Sequence, residues 1–183
     1  LVGLLWSIAS LPYPTLTRPS IPIRSPMHLM LLAVGKTDSR HIEELTKLYA
    51  DRLGHYLPFT LQIIPDIRRS SKLSPELQKQ AEGVEILRLV APTDRLVLFD
   101  ERGREFSSKA FASYIERVMI SGERRMIFVI GGPYGFSDEV YARANDRVSL
   151  SQMTFSHQMV RLFAVEQLYR AQTILRGEPY HHE

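Results

Sequence analysis

Three short segments of the chain place glycines or polar residues at the end of an apolar run, and they are the first candidates for chemistry. Two glycines that directly follow a buried strand let a ligand approach the backbone closely, because glycine carries no Cβ atom. In parallel α/β sheets, small ligands bind in the crevice beyond the carboxyl ends of the strands. The alternative is that these glycines only form tight turns. The three segments are Phe99-Asp100 with Gly103, Gly131–Gly135 (GGPYG) and Leu150–Phe155 (LSQMTF).

The third segment mixes hydrogen-bonding and apolar side chains. Its donors and acceptors are Ser151, Gln152 and Thr154, and its apolar members are Leu150, Met153 and Phe155. A mostly apolar pocket with a few placed polar groups is the usual form of a small-ligand site. The mixture suits an adenine and a sulfonium group better than a phosphate, because little anion-binding chemistry is present.

Familiar motifs for phosphate, dinucleotide and metal binding are excluded by their spacing. The GKT at 35–37 imitates the end of a phosphate-binding loop, but that loop needs a glycine where the chain has Met30. Gly131–Gly135 has GGxxG rather than GxGxxG spacing, and Pro133 lacks an amide hydrogen. His181-His182 has no further ligand at metal-binding spacing, so no metal site is predicted.

The C-terminal helix and tail hold the basic, aromatic and titratable side chains that could contact a nucleic acid. His157, Arg161 and Arg170 lie on the helix beside its apolar residues, and they could equally belong to a solvated face. The tail RGEPYHHE is polar and aromatic. Tyr180 in this tail can stack on a base, and His181 can meet a phosphate or carry a proton.

The elements that must position these residues alternate between strands and helices. Short apolar runs bounded by Gly or Pro predict buried strands, and a Ser before an apolar period of 3.6 residues predicts a helix start. Strands that are apolar throughout and alternate with helices imply an α/β fold, with a mostly parallel sheet and helices on both faces. The expected strands are 28–35, 58–65, 95–100, 124–130 and 147–150, and the expected helices are Ser39–Gly54, one from Ser74, one through Phe111–Val118, 138–145 and His157–Leu175.

The apolar period also predicts which side of each helix is buried. A turn is expected at Gly103, directly after the third strand. The expected inward residues are Leu77, Ala81, Val84 and Leu87 on the helix from Ser74, and Val160, Phe163, Ala164, Gln167, Leu168, Ala171 and Ile174 on the last helix.

Composition limits the class of protein. The 183 residues hold no cysteine, which excludes disulfides and thiolate chemistry, and the net charge of +3 permits nucleic-acid binding without demanding it. Residues 1–26 begin with LVGLLWSIASL, which is too short to span a bilayer and has no basic stretch before it. We expect 1–26 to be a non-native or disordered extension ahead of a start at Met27, with a transit peptide as the alternative. Residues 27–183 are expected to form one cytoplasmic domain that does not enter a membrane.

Three motifs in a fixed order, LLAVGK, FVIGGPYG and LSQMTFSHQMVRLFAVEQLYRAQTILRGEPYH, resemble the ribosomal RNA large subunit methyltransferase H family of the SPOUT superfamily. The resemblance covers Met27 to His181. It implies a C-terminal trefoil knot, a homodimer in which the partner finishes each site, and S-adenosyl-L-methionine as methyl donor without a metal. The implied activity is methylation of N3 of a pseudouridine in the large-subunit ribosomal RNA of assembled ribosomes.

The resemblance also assigns residues to the cofactor site. The family's cofactor positions fall on Phe99, Gly131 and Leu150–Phe155, which belong to the three segments described first. Phe99 stands where relatives usually have Leu, and Ser156 stands where many have Pro. The larger ring of Phe99 is expected to pack against the adenosine and to reshape the pocket.

The target base must lose its N3 proton, and this step needs a general base. By residue type the candidates are His157, Glu166 and His181. We expect Tyr180 and His181 to position the target base and Arg161 or Arg170 to contact phosphate. Two other functions stay open, namely methylation of another RNA and a non-catalytic ribosome- or RNA-binding factor of the same fold.

Overall fold

The computed structural model describes residues 27–66 and 74–180. Within these ranges five strands alternate with five helices, as the apolar pattern predicts. Residues 1–26 and His181, on which some of the sequence predictions fall, lie outside the described residues. The elements are β1 His28–Val34, α1 Arg40–Gly54, β2 Phe59–Ile64, α2 Pro75–Arg88, β3 Arg95–Glu105, α3 Ser108–Ser121, β4 Arg125–Ile130, α4 Asp138–Arg143, β5 Asp146–Ser149 and α5 His157–Arg176.

The five strands form one sheet in the order β2-β1-β4-β3-β5, with parallel pairing between all of these neighbours. Successive side chains of a strand point to opposite faces, so a strand covered on both faces is apolar throughout. In β1, Leu31 packs in a cluster with α1, α3 and α5, whereas the next residue, Leu32, packs with α2 and α4. The predicted α/β class, with helices on both faces of a parallel sheet, is confirmed. The trefoil knot stays a prediction.

The buried side of α2 differs from the predicted one. Leu77 is 51% exposed and Val84 is 65% exposed, whereas Glu82 and Gly83 are buried. The cause is a close approach between α2 and the start of α4, because a Cβ atom on Gly83 would lie 2.4 Å from the hydroxyl oxygen of Ser137. The helix therefore turns its glycine inward and buries Glu82 with it. The predicted inward positions Leu77 and Val84 are wrong.

Gly103 lies inside β3, so the turn predicted there is wrong. A Cβ atom on Gly103 would lie 2.6 Å from the backbone nitrogen of Val148 in β5. The pairing of β3 with β5 shifts its register between Phe99 and Arg104. A glycine inside a strand often marks such a place, because another backbone approaches it closely. This pairing positions β5 and, with it, the segment that starts at Leu150.

α5 packs against α1 and α3 on one face of the sheet. Its residues Ala164, Leu168 and Ala171 are buried, as the apolar period predicts. Phe163, which was expected to face inward, is instead 36% exposed. In the part of the chain that the structure describes, no helix is both long and apolar enough to cross a membrane.

Candidate active site

A cavity of about 720 Å³ opens at the carboxyl ends of β4 and β5 and beside residues 99–102 in the middle of β3. The three segments identified in the sequence form its walls, because the carboxyl ends of neighbouring parallel strands share one edge of the sheet. Gln152 is the exception among the predicted cofactor residues, since it does not line the cavity and its side chain donates to Glu105 at 3.4 Å. The predicted residues that line the cavity are Phe99, Gly131, Leu150, Ser151, Met153, Thr154 and Phe155.

The backbone of the glycine loop, Gly131–Gly135, forms one wall of the cavity. Gly131 is buried, and a Cβ atom on it would lie 3.0 Å from the Phe136 ring. The Gly135 amide donates to the Gly132 carbonyl oxygen at 3.2 Å, and Gly135 has a φ of +81°, which favours glycine. The loop is therefore a tight turn whose backbone also forms a wall of the cavity, and the close approach of a ligand to its glycines stays a prediction.

Asp100 and Tyr141 form a hydrogen-bonded pair in the cavity wall. The Tyr141 hydroxyl donates to Asp100 Oδ2 at 2.5 Å, and the Arg102 amide donates to Oδ1 of the same carboxylate at 2.7 Å. Burial, together with the neighbouring carboxylate, raises the pKa of Tyr141 to about 12. The phenol therefore stays protonated near neutral pH and fixes the Asp100 side chain. Sequence reasoning missed this pair, because its members stand 41 residues apart and share no local motif.

The segment after β5 is held by its own hydrogen bonds. The Ser149 hydroxyl donates to the Ser151 carbonyl oxygen at 2.9 Å, and the Met153 amide donates to Ser151 Oγ at 3.0 Å. Met153 is 74% exposed and Phe155 is 41% exposed, and the Phe155 ring lies 5.2 Å from the ring of Phe163 on α5. Met153, Phe155 and Phe163 together form an apolar patch beside the cavity, and such patches often mark interaction surfaces.

The first turn of α5 faces the cavity. Ser156 caps this helix, because its Oγ accepts a hydrogen bond from the Met159 amide at 3.4 Å. His157 and Val160 line the cavity. Among the described residues that were predicted to be catalytic, His157 is the one that the structure places in the cavity wall.

Arg161 lies behind the cavity and does not reach the surface. It is 1% exposed, and its guanidinium donates to the Val34 carbonyl oxygen and to the Thr37 hydroxyl, both at 2.7 Å. Burial lowers the pKa of Arg161. This placement does not fit the predicted contact with RNA phosphate. Arg161 instead ties α5 to the loop after β1, about one turn beyond His157.

Tyr180, which follows α5 in the chain, contacts Glu166 in the middle of that helix. The Tyr180 hydroxyl donates to Glu166 Oε1 at 3.0 Å, and Arg170 forms an ion pair with the same oxygen at 2.6 Å. Burial raises the pKa of Tyr180. The helix rises about 14 Å between His157 and Glu166. Tyr180 accordingly does not line the cavity of its own chain, and His181 lies outside the described residues.

A parallel sheet with a glycine loop and a cavity at its carboxyl edge defines an α/β protein suited to binding a small molecule. Comparison with known proteins gives the family. Residues 27–181 match the family model described as predicted SPOUT methyltransferase. The chain belongs to this family and, within it, to the ribosomal RNA large subunit methyltransferase H family.

Bacterial relatives align over nearly their whole length. The ribosomal RNA large subunit methyltransferase H of Porphyromonas gingivalis is 58% identical over 157 residues, which are 86% of this chain and 100% of that protein. The relative of the same name from Christiangramia forsetii is 56% identical over 156 residues, 85% of this chain and 99% of that protein. The relative from Parabacteroides distasonis is 51% identical over 157 residues, 86% of this chain and 100% of that protein.

Proposed function

We propose that this protein transfers a methyl group from S-adenosyl-L-methionine to N3 of a pseudouridine in the large-subunit ribosomal RNA of assembled cytoplasmic ribosomes. Its methyltransferase family and the names of its relatives support ribosomal RNA methylation. The cavity at the carboxyl edge of the sheet is the observation that carries the cofactor part of the proposal. The position on the base and the ribosomal context rest on the sequence resemblance.

The walls of the cavity suit an adenosine joined to a sulfonium. The volume of about 720 Å³ lies within the range of roughly 300–1,000 Å³ that is usual for small-ligand sites. Phe99 and Leu150 offer apolar surface to an adenine, and Gly131 permits close approach because it has no side chain. S-adenosyl-L-methionine, when bound, supplies an electrophilic methyl group. The proposal needs no metal ion.

The residues of the chain then have to orient the reactants, exclude water and take up a proton. Orientation in a closed site can lower a barrier by roughly 7–11 kcal/mol. We propose His157 as the group that accepts the N3 proton, because its side chain lies in the cavity wall. Glu166 is a weaker candidate, since Arg170 and Tyr180 already bind its carboxylate.

We also propose a homodimer in which the partner completes each site. The apolar patch of Met153, Phe155 and Phe163 lies beside the cavity and offers a surface for a second copy. Tyr180 is remote from the cavity of its own chain. Tyr180 of the partner subunit and His181 of the partner subunit are therefore the proposed contacts to the target base.

Calorimetric titration with S-adenosyl-L-methionine tests the cofactor, and methylation of ribosomes that lack the modification tests the substrate. We expect micromolar binding, and methyl-pseudouridine that mass spectrometry detects in digested ribosomal RNA. Assembled ribosomes and protein-free RNA, assayed side by side, separate the proposed context from methylation of another form of RNA. A folded, dimeric protein that binds no S-adenosyl-L-methionine, even with ribosomes present, would be a non-catalytic ribosome-binding factor instead.

Tyr141→Phe is expected to weaken S-adenosyl-L-methionine binding about 2- to 10-fold, because one hydrogen bond contributes roughly 0.5–1.5 kcal/mol. The variant loses the hydroxyl that fixes Asp100 but keeps the ring that packs against Phe136, with centroids 5.7 Å apart. Calorimetry measures the change. Tyr114→Phe is the matched control, since that hydroxyl donates to Asp146 at 2.8 Å, away from the cavity wall. An equal loss in both variants would contradict a local role for Tyr141.

A further inference from the structure

Glu82 is a buried carboxylic acid directly behind the glycine loop. It is 4% exposed, and a Cβ atom on Gly132 would lie 2.5 Å from its Oε2 atom and 2.8 Å from its Oε1 atom. Gly132 lines the cavity and Glu82 does not. The backbone of one glycine therefore separates this carboxyl group from the space proposed for the cofactor.

The surroundings of Glu82 satisfy only one of its two oxygen atoms. Oε1 accepts a hydrogen bond from Gln78 Nε2 at 2.8 Å, whereas Oε2 is buried without a hydrogen-bond partner among the described residues. A buried acceptor that lacks a partner lowers stability. An apolar side chain of similar volume would fill the same space without this loss. Apolar packing thus does not explain a carboxylic acid at this position, and its polar neighbours are Gln78 and the Gly132 amide.

The ionisation of Glu82 responds to several neighbours. Burial raises the pKa of Glu82, and repulsion from Asp66 adds to this effect. The hydrogen bond from Gln78 and the interaction with the Gly132 amide act in the opposite direction. The balance leaves the pKa above its ordinary value, so the carboxyl group takes up a proton at a higher pH than an exposed glutamate does.

No cation among residues 27–66 and 74–180 forms an ion pair with Glu82. Lys79 forms an ion pair within α2 at 2.8 Å, and Arg143 of α4 donates to backbone carbonyl oxygens. The first turn of α4 is itself acidic, with Asp138 and Glu139. The field of an ionised Glu82 therefore extends through the glycine loop into the cavity.

We infer that Glu82 is a positioning residue that acts through Gly132 and makes the cavity favour a cationic ligand over a neutral one of the same shape. The inference rests on the proposed function. Methyl transfer forms a bond between N3 of the base and the methyl carbon, breaks the bond between that carbon and sulfur, and leaves the electron pair on sulfur, while the N3 proton passes to the general base. The cofactor is a sulfonium cation, and its product is a neutral thioether. An anion behind the glycine loop thus holds the cofactor more strongly than the product, which eases product release.

This selectivity is expected to depend on pH. Below the pKa of Glu82 the carboxyl group is neutral and no longer favours a cation. The affinity of the wild-type protein for S-adenosyl-L-methionine therefore falls as the pH falls through that pKa, while the affinity for S-adenosyl-L-homocysteine changes less. Asp100 and Glu101 also place carboxyl groups in the cavity wall, so a variant of Glu82 is needed to isolate the contribution of Glu82.

The test is calorimetry of the full chain with S-adenosyl-L-methionine and with S-adenosyl-L-homocysteine, between about pH 5 and pH 8. Glu82→Gln keeps the shape of the side chain and removes its charge. We expect Glu82→Gln to lower the affinity for S-adenosyl-L-methionine roughly tenfold and to change the affinity for S-adenosyl-L-homocysteine less than about twofold. The difference in pH dependence between the two affinities is expected to disappear in this variant. Glu85→Gln is the matched control on the same helix, where the carboxylate pairs with Arg88 at 2.9 Å, and it is expected to change neither affinity.

An equal loss of affinity for both ligands in Glu82→Gln would overturn the inference, because it would show that Glu82 only stabilises the conformation of the glycine loop. Unchanged affinities for both ligands would overturn it as well. If Glu82→Gln does not fold, parallel pH curves of the two ligands in the wild-type protein have the same consequence, because the inference requires the affinity for S-adenosyl-L-methionine to fall at low pH more than the affinity for S-adenosyl-L-homocysteine. A wild-type protein that binds neither ligand contradicts the proposed function itself, which keeps the two failures distinguishable.

Discussion

Replacing Gly131 by arginine is expected to abolish S-adenosyl-L-methionine binding while leaving the protein folded. A Cβ atom at this position would already lie 3.0 Å from the Phe136 ring, so the longer side chain must turn into the cavity that the ligand needs. Overpacking costs roughly 1–3 kcal/mol and occasionally more, and the upper part of this range corresponds to a loss of affinity of about 100-fold. Calorimetric titration of Gly131→Arg beside the wild-type protein measures the loss.

Gly54→Arg is the matched control, because it makes the same change at the end of α1, where a Cβ atom meets nothing within 4 Å. Its affinity for S-adenosyl-L-methionine is expected to equal that of the wild-type protein. Gly131→Ala is expected to lose less affinity than Gly131→Arg, since only small shifts of the Phe136 ring and the Gly135 carbonyl oxygen are needed. Circular dichroism and thermal melting report whether each variant is folded. Binding that survives in a folded Gly131→Arg protein would place the cofactor outside this cavity.

The meeting of three distant segments at one cavity could be predicted from the sequence, because the topology requires it. Apolar runs that alternate with helices produce parallel strands, and the carboxyl ends of parallel strands lie at one edge of the sheet. Phe99 and Leu150 lie at the ends of their predicted strands, and Gly131 directly follows its predicted strand. Their convergence therefore needed no knowledge of side-chain contacts.

Features that depend on the distance between two backbones could not be predicted in this way. The apolar period of α2 favoured Val84 as an inward residue, but the approach of Ser137 to Gly83 decides which side is buried. The same holds for Gly103. A glycine is found both in turns and in strands that another backbone approaches closely, so its presence in the sequence does not distinguish the two. Nothing in the residues near Gly103 indicates that Val148 comes so close.

The residue types indicated which chemistry the candidate catalytic groups could perform, but they did not indicate where these groups lie in the fold. Arg161 was expected to contact phosphate or to belong to a solvated face, yet the structure buries it against backbone and hydroxyl oxygen atoms. Tyr180 is aromatic and can stack on a base, yet it lies beside Glu166 rather than beside His157. The side chains that fix these positions are far away in the chain, so no local pattern could reveal them.

Arg161→Ala is expected to lower the free energy of unfolding by about 3–5 kcal/mol, and to weaken ligand binding at the cavity. The variant loses the hydrogen bonds to the Val34 carbonyl oxygen and the Thr37 hydroxyl, and it leaves an empty space in the core. His157, about one turn away on α5, loses its fixed position in the cavity wall. Urea unfolding measures the first effect and calorimetry with S-adenosyl-L-methionine measures the second. Arg161→Lys is expected to lose less, because it keeps the charge and part of the donor set.

Arg40→Ala on α1 is the control, since its side chain is 86% exposed and its ion pair with Glu44 contributes little to stability. If Arg161→Ala kept the stability and the cofactor affinity of the wild-type protein but lost RNA binding, the guanidinium would be a phosphate contact after all. The structure argues against that outcome. Arg161 is 1% exposed, and its two terminal nitrogen atoms donate to oxygen atoms of the chain itself, so a phosphate could reach the guanidinium only if α5 moved away from the loop after β1.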